Sequence, residues 1–201
     1  MEKIKWILFD VGGVVNRLLF QNPEGYTYKT RFFTQAELEG IFKTKDYASY
    51  SLGLLSHEQL VGKYLNKKKL DLSVAEFDEI VKQNITPTEG MEELFQKLEK
   101  KYKLALATNE GKLLTKYKVE GSHILPYLSK IIPSYLLRET KPSPEFFTKM
   151  LKILGIQVDE CLFIDDGQIN IDAAQALGIQ SILFTNMSQL ERDLDTVLSL
   201  E

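Results

Sequence analysis

The hydrophobic pattern of the chain predicts three regions of different character. Residues 6–9 are four bulky apolar side chains in a row without helical spacing, which predicts a strand buried on both faces. Between residues 16 and 86 no comparable run occurs, and apolar residues recur at helical intervals, as at positions 60, 61, 64 and 65. The pattern therefore predicts a core at residues 1–15 and 87–201, with a helical segment at 16–86 inserted into it.

Helix starts mark the inserted segment. A capping box is a Ser or Thr followed three residues later by Glu or Gln, and each one predicts the N-terminus of a helix. Three such pairs occur here: Thr34 with Glu37, Ser56 with Gln59, and Ser73 with Glu76. The segment is therefore expected to form a small helical bundle.

The second half of the chain predicts strands and helices in alternation. Apolar runs predict strands at 103–107, 131–132, 161–164 and 181–184, and amphipathic spacing predicts helices at 88–102, 144–154 and 169–177. Ser143 is expected to cap the second of these helices, with Pro144 at its first position and Gly155 at its end. Strands that alternate with helices form right-handed crossovers, so the predicted fold class is α/β, with a doubly wound parallel sheet.

Polar residues stand where the predicted strands end. They are Asp10, Thr108, Asn109, Ser134, Asp165 and Asp166. The carboxyl ends of parallel strands share one edge of the sheet, where doubly wound folds bind their ligands, so these side chains are expected to converge. Two alternatives stay open: Asp10 can cap a turn, and the Asp165–Asp166 pair can lie in a solvated turn.

These side chains predict a site for a metal and a phosphoryl group. Three carboxylates at one edge repel each other unless a divalent cation lies among them, and hard oxygen ligands favour Mg²⁺. Lys141 stands just before the predicted helix at Pro144. Together with the Thr108 hydroxyl, it offers the cation and the neutral donor that phosphoryl oxygens need. An exposed loop charge is the alternative for Lys141.

Composition narrows the class of protein. The 201 residues are 44% hydrophobic, enough for a sizeable core, and the net charge of -3 argues against nucleic acid as a partner. The single cysteine, Cys161, opens an apolar run, which favours a buried structural thiol and is compatible with a reducing compartment. No run reaches the length of a membrane span, and no signal-peptide core precedes the first strand. A soluble cytoplasmic protein without membrane contact is expected.

Four motifs, taken in order, resemble those of the haloacid dehalogenase-like hydrolases. They are Asp10-Val11-Gly12-Gly13-Val14-Val15, Thr108-Asn109, Lys141-Pro142-Ser143-Pro144-Glu145-Phe146-Phe147 and Phe163-Ile164-Asp165-Asp166. Residues 170–179 are similar to the stretch that follows the last motif in that family, so the resemblance covers the whole chain. It implies a Rossmann-like core, with residues 16–86 as a C1-type helical cap.

The resemblance also implies catalytic roles and a substrate class. Asp10 would be the nucleophile and would take the phosphoryl group as an aspartyl-phosphate. Thr108 and Lys141 would hold the phosphate and neutralise charge in the transition state. Asn109 would contact the substrate, although a turn-forming role explains it equally well. The substrate would be a small phosphorylated metabolite, such as a sugar phosphate.

The metal site is implied in the same way. Mg²⁺ would be bound by Asp10, the backbone carbonyl of Gly12 and Asp165. Asp166 would lie close by and would reach the ion directly or through water.

Gly12 departs from the pattern of the family. Phosphatases of the family usually carry there a second aspartate that acts as general acid and base, so proton transfer to the leaving group falls into doubt. His57 would be the first suspect for that proton, with a merely solvated helix start as its alternative. A phosphate-binding or partner-binding protein with little or no turnover is the second hypothesis. A dehalogenase, which needs neither the second acid nor a metal, is the third.

Overall fold

The computed structural model describes residues 4–18 and 25–198. The strands are β1 (Trp6–Phe9), β2 (Asn16–Leu18), β3 (Tyr26–Tyr28), β4 (Arg31–Phe33), β5 (Ile85–Pro87), β6 (Lys103–Thr108), β7 (Leu128–Pro133), β8 (Cys161–Asp165) and β9 (Gln180–Leu183). The helices are α1 (Gln35–Glu39), α2 (Lys45–Ser51), α3 (His57–Lys68), α4 (Val74–Gln83), α5 (Met91–Leu98), α6 (Lys112–Glu120), α7 (Ser134–Leu137), α8 (Pro144–Leu154), α9 (Gln168–Ala176) and α10 (Met187–Leu198).

A five-stranded sheet forms the centre of the molecule, in the order β7-β6-β1-β8-β9, and every pairing in it is parallel. Phe9 of β1 pairs with Leu106 of β6 on one side and with Ile164 of β8 on the other. The three central strands therefore reach the same edge together. The sheet and its flanking helices confirm the predicted doubly wound α/β fold.

The central strand separates two hydrophobic cores, because successive side chains of a strand point to opposite faces. Phe9 packs against Phe95 of α5, with ring centroids 4.5 Å apart. Leu8 enters the other core, where Phe147 of α8 meets Phe163 of β8 at 5.4 Å. Burial on both faces explains why this strand reads as a continuous apolar run.

The segment between β2 and β5, called here the helical insert (residues 25–84), carries α1–α4 and the β3–β4 hairpin. All three predicted capping boxes are confirmed, at the N-termini of α1, α3 and α4. The short strands are an addition to the predicted helices. Leu114 and Tyr117 of α6 pack into the hydrophobic cluster of the insert, so α6 anchors the insert to the core.

The structure differs from the predicted elements at several ends. The helix expected at 88–102 is only Met91–Leu98, because Gly90 before it adopts a positive φ of 79°. Ser143 precedes α8 as expected, but its side chain makes no capping hydrogen bond, and Pro144 and Gly155 mark the helix ends. Helices α6 and α10 were not predicted. Over the described residues, no helix combines the length and apolar character needed to cross a membrane.

Candidate active site

The site lies at the carboxyl edge of the central sheet. Asp10 directly follows β1 and donates its backbone N–H to the carbonyl of Ile164, at 2.8 Å. Thr108 ends β6, and Asp165 ends β8. All three residues are nearly or fully buried, with exposed fractions of 9% for Asp10, 3% for Thr108 and zero for Asp165. The structure thus brings together the strand-end residues that the sequence predicts.

Lys141 lies between two of the acids. Its Nζ is 2.8 Å from Oδ1 of Asp10 and 2.5 Å from Oδ2 of Asp165, and its side chain is 1% exposed. The exposed-loop alternative for Lys141 is therefore wrong. The Asn109 amide holds this residue in place, because Nδ2 donates to the Lys141 carbonyl at 2.8 Å and Oδ1 accepts from its N–H at 2.7 Å. Asn109 thus orients the lysine through its backbone.

Asp165 is fixed through both carboxylate oxygens. While Oδ2 bonds to Lys141, Oδ1 accepts from the backbone N–H of Gly167 at 2.8 Å and from Asn170 Nδ2 at 2.9 Å. A carboxylate with this many donors keeps a single orientation. The solvated-turn alternative does not apply to Asp165, which is fully buried.

Negative charge is crowded at this edge. Oxygens of Asp10, Asp165 and Asp166 all lie within 4.8 Å of one another. Burial raises the pKa of the Asp10 carboxyl above its usual value, and the neighbouring Lys141 only partly offsets this. Burial, together with the charges of Asp10 and Asp165, also raises the pKa of Asp166. A further positive charge would reduce the repulsion among these carboxylates.

The turn after β1 fits a bound cation. Gly13 has a φ of 86°, and a Cβ there would lie 2.0 Å from Oδ2 of Asp166, so only glycine lets the two segments approach. The carbonyl of Val11 accepts from the N–H groups of Val15 and Asn16. Among the described residues, no backbone N–H donates to the Gly12 carbonyl, which lies in the turn two residues after Asp10, and the cluster itself supplies three carboxylates. This is an all-oxygen donor set of the kind Mg²⁺ takes.

Ser134 and His57 both contact residues of the helical insert and not those of the acidic cluster. The Ser134 hydroxyl, expected at the site, donates to the carbonyl of Ser51 in α2 at 2.6 Å and so ties the helical insert to the core. His57 Nε2 lies 2.6 Å from Oδ1 of Asp78 within the insert, and the His57 ring packs edge-on against Tyr117. His57 is 5% exposed, so it is not the solvated helix-start residue that the sequence allowed.

A buried ion pair that the sequence does not predict lies beside the second motif. Glu110, directly after Thr108-Asn109, is 1% exposed in its side chain and pairs with Lys118 of α6 at 2.5 Å. The Tyr47 hydroxyl of the insert donates to the other Glu110 oxygen at 2.6 Å. The sequence did offer a signal for Glu110, because it is a charged residue directly after a motif. It offered none for Lys118, which lies on a helix that was not predicted.

A cleft of about 720 Å³ lies between α3 of the insert and α6 and β7 of the core. Its wall includes His57, Lys112 and Tyr135 but none of the three acids. This cleft is therefore separate from the acidic cluster.

A buried lysine between carboxylates thus lies at the carboxyl edge of a parallel sheet, which is where doubly wound α/β proteins bind their ligands. The family model described as haloacid dehalogenase-like hydrolase matches residues 30–184. The chain belongs to this family of hydrolases.

Several curated relatives are named as hydrolases or phosphatases of small molecules. The chain is 26% identical to flavin mononucleotide hydrolase 1 of Arabidopsis thaliana over 154 residues, which are 74% of this chain and 60% of that protein. It is 31% identical to D-ribitol-5-phosphate phosphatase of Bacteroides thetaiotaomicron over 108 residues, 51% of this chain and 52% of that protein. The chain thus spans between half and three fifths of these two relatives.

Solved structures share the fold. A magnesium complex of a HAD family enzyme from Bacteroides thetaiotaomicron superposes with a TM-score of 0.76 at 23% identity, covering 94% of this chain and 99% of that one. The L-2-haloacid dehalogenase of Xanthobacter autotrophicus, with bound chloropropionic acid, gives 0.67 at 16% identity, covering 96% and 83%. The chain therefore shares its fold with both proteins.

Proposed function

We propose that this chain is a Mg²⁺-dependent phosphatase that hydrolyses a small phosphorylated metabolite through an aspartyl-phosphate on Asp10. One observation carries the proposal: Lys141 is buried between Asp10 and Asp165 at the rim of the sheet, beside a third carboxylate. This arrangement supplies a nucleophile, a cation for the phosphate and oxygen ligands for a metal in one place.

Each side chain has a separate role in the proposed phosphoryl transfer. An oxygen of Asp10 attacks phosphorus, and the bond to the leaving oxygen breaks in line with it. The Lys141 ammonium and the Thr108 hydroxyl bind the equatorial phosphoryl oxygens, where negative charge is spread in the transition state. Asn109 acts through its two hydrogen bonds to the Lys141 backbone, because they fix the position of the ammonium.

Asp10, the Gly12 carbonyl, Asp165 and Asp166 would hold the Mg²⁺. When bound, the ion supplies positive charge that screens the phosphate from the carboxylates around it. Burial, to which the neighbouring carboxylates add, raises the pKa of both Asp10 and Asp166, and this cost of negative charge supports the metal part of the proposal. Magnesium in the solved HAD family enzyme is a further support.

The helical insert is proposed to act as a cap that sets the substrate. It joins the core through paired strands and contacts the motif-bearing loops through Tyr47 and Ser51. The relatives suggest the substrates to try first: flavin mononucleotide, D-ribitol 5-phosphate and N-acylneuraminate 9-phosphate.

Phosphate release from 4-nitrophenyl phosphate and from this panel, with Mg²⁺ and with EDTA, tests the proposal. Metal-dependent release is expected. Binding of phosphate without any turnover would favour the non-catalytic hypothesis, which the missing aspartate at Gly12 motivates. Halide release from 2-chloropropionate without metal would favour a dehalogenase. Turnover unaffected by EDTA would contradict the metal part of the proposal.

A further inference from the structure

Lys118 occupies the space beside Gly12. A Cβ built on Gly12 would lie 3.6 Å from Nζ of Lys118, and no other atom outside the adjoining residues comes within 4 Å. A side chain at this position would therefore point into open space next to an ammonium group. The nucleophile, Asp10, stands two residues earlier on the same turn.

The ammonium is held there by a buried partner. Lys118 is 12% exposed in its side chain, and its Nζ lies 2.5 Å from Oε2 of Glu110. Glu110 is anchored in turn, because the Tyr47 hydroxyl donates to its other oxygen at 2.6 Å. An ammonium carries three N–H donors, and Glu110 is the hydrogen-bond acceptor recorded for Nζ within the described part of the chain. The ammonium therefore has more N–H groups than its bond to Glu110 uses, and its nitrogen lies 3.6 Å from the Cβ position of Gly12.

We propose that Lys118 is a catalytic residue that serves the leaving-group oxygen, in place of the aspartate that this chain lacks at Gly12. Glu110 and Tyr47 act as positioning residues for it. The inference rests on the proposed phosphatase function and names the donor that function requires. Lys118 takes the role that the sequence suggested for His57, because the His57 ring pairs with Asp78 inside the helical insert.

Bonds and protons are conserved over the two steps of the proposed reaction. While Asp10 forms its bond to phosphorus, the bond from phosphorus to the leaving oxygen breaks, and the electron pair stays on that oxygen. An N–H of Lys118 donates to this oxygen and supplies the proton of the alcohol product. The water that later attacks the aspartyl-phosphate loses a proton, which restores the Lys118 ammonium.

Three phosphate esters of similar size separate this role from a structural one: 4-nitrophenyl, phenyl and benzyl phosphate. A donor to the leaving oxygen matters most for benzyl phosphate, whose alkoxide leaves least readily. Lys118→Gln keeps a neutral donor to Glu110, and it should raise the kcat ratio of 4-nitrophenyl to benzyl phosphate by about 10²-fold. Lys116→Gln is the matched control, because Lys116 lies on the same helix with its side chain 62% exposed.

A second variant guards against a folding defect. Lys118→Met with Glu110→Gln removes both charges and keeps an acceptor for Tyr47, so no unpaired buried charge remains. It should raise the same ratio. An unchanged ratio in either variant, with 4-nitrophenyl phosphate still hydrolysed, would overturn the inference alone. If the wild-type chain hydrolyses none of the three esters with Mg²⁺, the proposed phosphatase function fails as well.

Discussion

Asp10 is the residue on which the proposed chemistry depends. Its carboxylate oxygen Oδ1 is held 2.8 Å from the Lys141 ammonium, which fixes the position of that oxygen. Asn has the same shape and can accept the same hydrogen bond, but its amide is a poor nucleophile.

Asp10→Asn is therefore expected to keep the fold and to lower kcat on 4-nitrophenyl phosphate by on the order of 10⁴-fold or more. Circular dichroism and urea unfolding report on the fold, and Asp172→Asn on the exposed face of α9 is the control. A crystal soaked with beryllofluoride and Mg²⁺ should show the adduct on Asp10 of the wild type. An adduct on another residue would refute the assignment.

The two glycines after the nucleophile differ in what they tolerate. Gly13 combines a φ of 86° with a Cβ position 2.0 Å from Asp166, whereas Gly12 has no positive φ and only Lys118 near its Cβ position. Left-handed backbone costs a residue with a side chain about 1–2 kcal/mol.

Gly13→Ala should accordingly lower the free energy of unfolding by about 1–2 kcal/mol or more, since Asp166 must also move. Gly12→Ala should change it by less than about 1 kcal/mol, and in the stabilising direction. Urea unfolding of both variants measures the difference. Equal losses in the two variants would show that the turn is not built as described.

At the scale of elements, α6 depends on a side chain from another part of the chain. Its N-cap residue is Gly111, which offers no side-chain cap. The hydroxyl of Tyr50 in α2 accepts instead from the N–H groups of Leu113 and Leu114, at 3.1 and 3.2 Å. A Cβ on Gly111 would lie 2.2 Å from the Tyr50 ring, so glycine is needed for this approach.

Tyr50→Phe keeps the ring and removes the acceptor for the two N–H groups. It should lower the free energy of unfolding by about 1–2 kcal/mol, the range of a lost helix cap. Tyr135→Phe is the control, because its hydroxyl has no hydrogen bond recorded to any residue that the structure describes. A loss no greater than that of the control would mean that water replaces the tyrosine at no cost.

The central strands and the acidic edge could be predicted because each leaves a local pattern. Burial on both faces gives β1 and β8 their continuous apolar runs, and each run ends in an aspartate. The capping boxes could be predicted for the same reason, since two residues within a four-residue window hold the whole signal.

The ion pair of Glu110 and Lys118 left no such local pattern. Its members meet only because α6 begins between them, and α6 begins where it does because Tyr50 caps it from sixty residues away. Ser134 does follow directly on β7 as predicted, but its hydrogen bond to the carbonyl of Ser51 could not be predicted, because Ser51 belongs to the insert. Contacts between the insert and the core depend on the tertiary structure. They cannot be predicted from local sequence patterns, which indicate only single strands and helices.

At the scale of the whole molecule, the acidic cluster links metal binding to stability. The folded chain gathers three carboxylates within 4.8 Å, and the unfolded chain does not. A ligand that binds only the folded state stabilises it by about 2.7 kcal/mol at a hundred times its Kd, which is roughly 5–10 °C in Tm for a chain of this size.

Mg²⁺ is therefore expected to raise the Tm of the wild-type chain, and Asp165→Asn to abolish the shift. Asparagine keeps an acceptor for Gly167 or for Lys141, so each variant is compared with its own metal-free Tm. Sodium sulfate at equal ionic strength controls for general salt effects. A wild-type melting curve that millimolar Mg²⁺ leaves unmoved would contradict the proposed metal site.

The antiparallel pairing of β2 with β5 has a consequence for how the molecule can change over evolutionary time. Leu18 is paired with Ile85, so the chain leaves the core and returns to it at neighbouring points. The distance to be closed is then the same for a long insert or a short one, and the entropy of closure grows only slowly with length. One contiguous piece of coding sequence can therefore be exchanged while the strands of the sheet, and the acidic cluster at their carboxyl edge, remain in register.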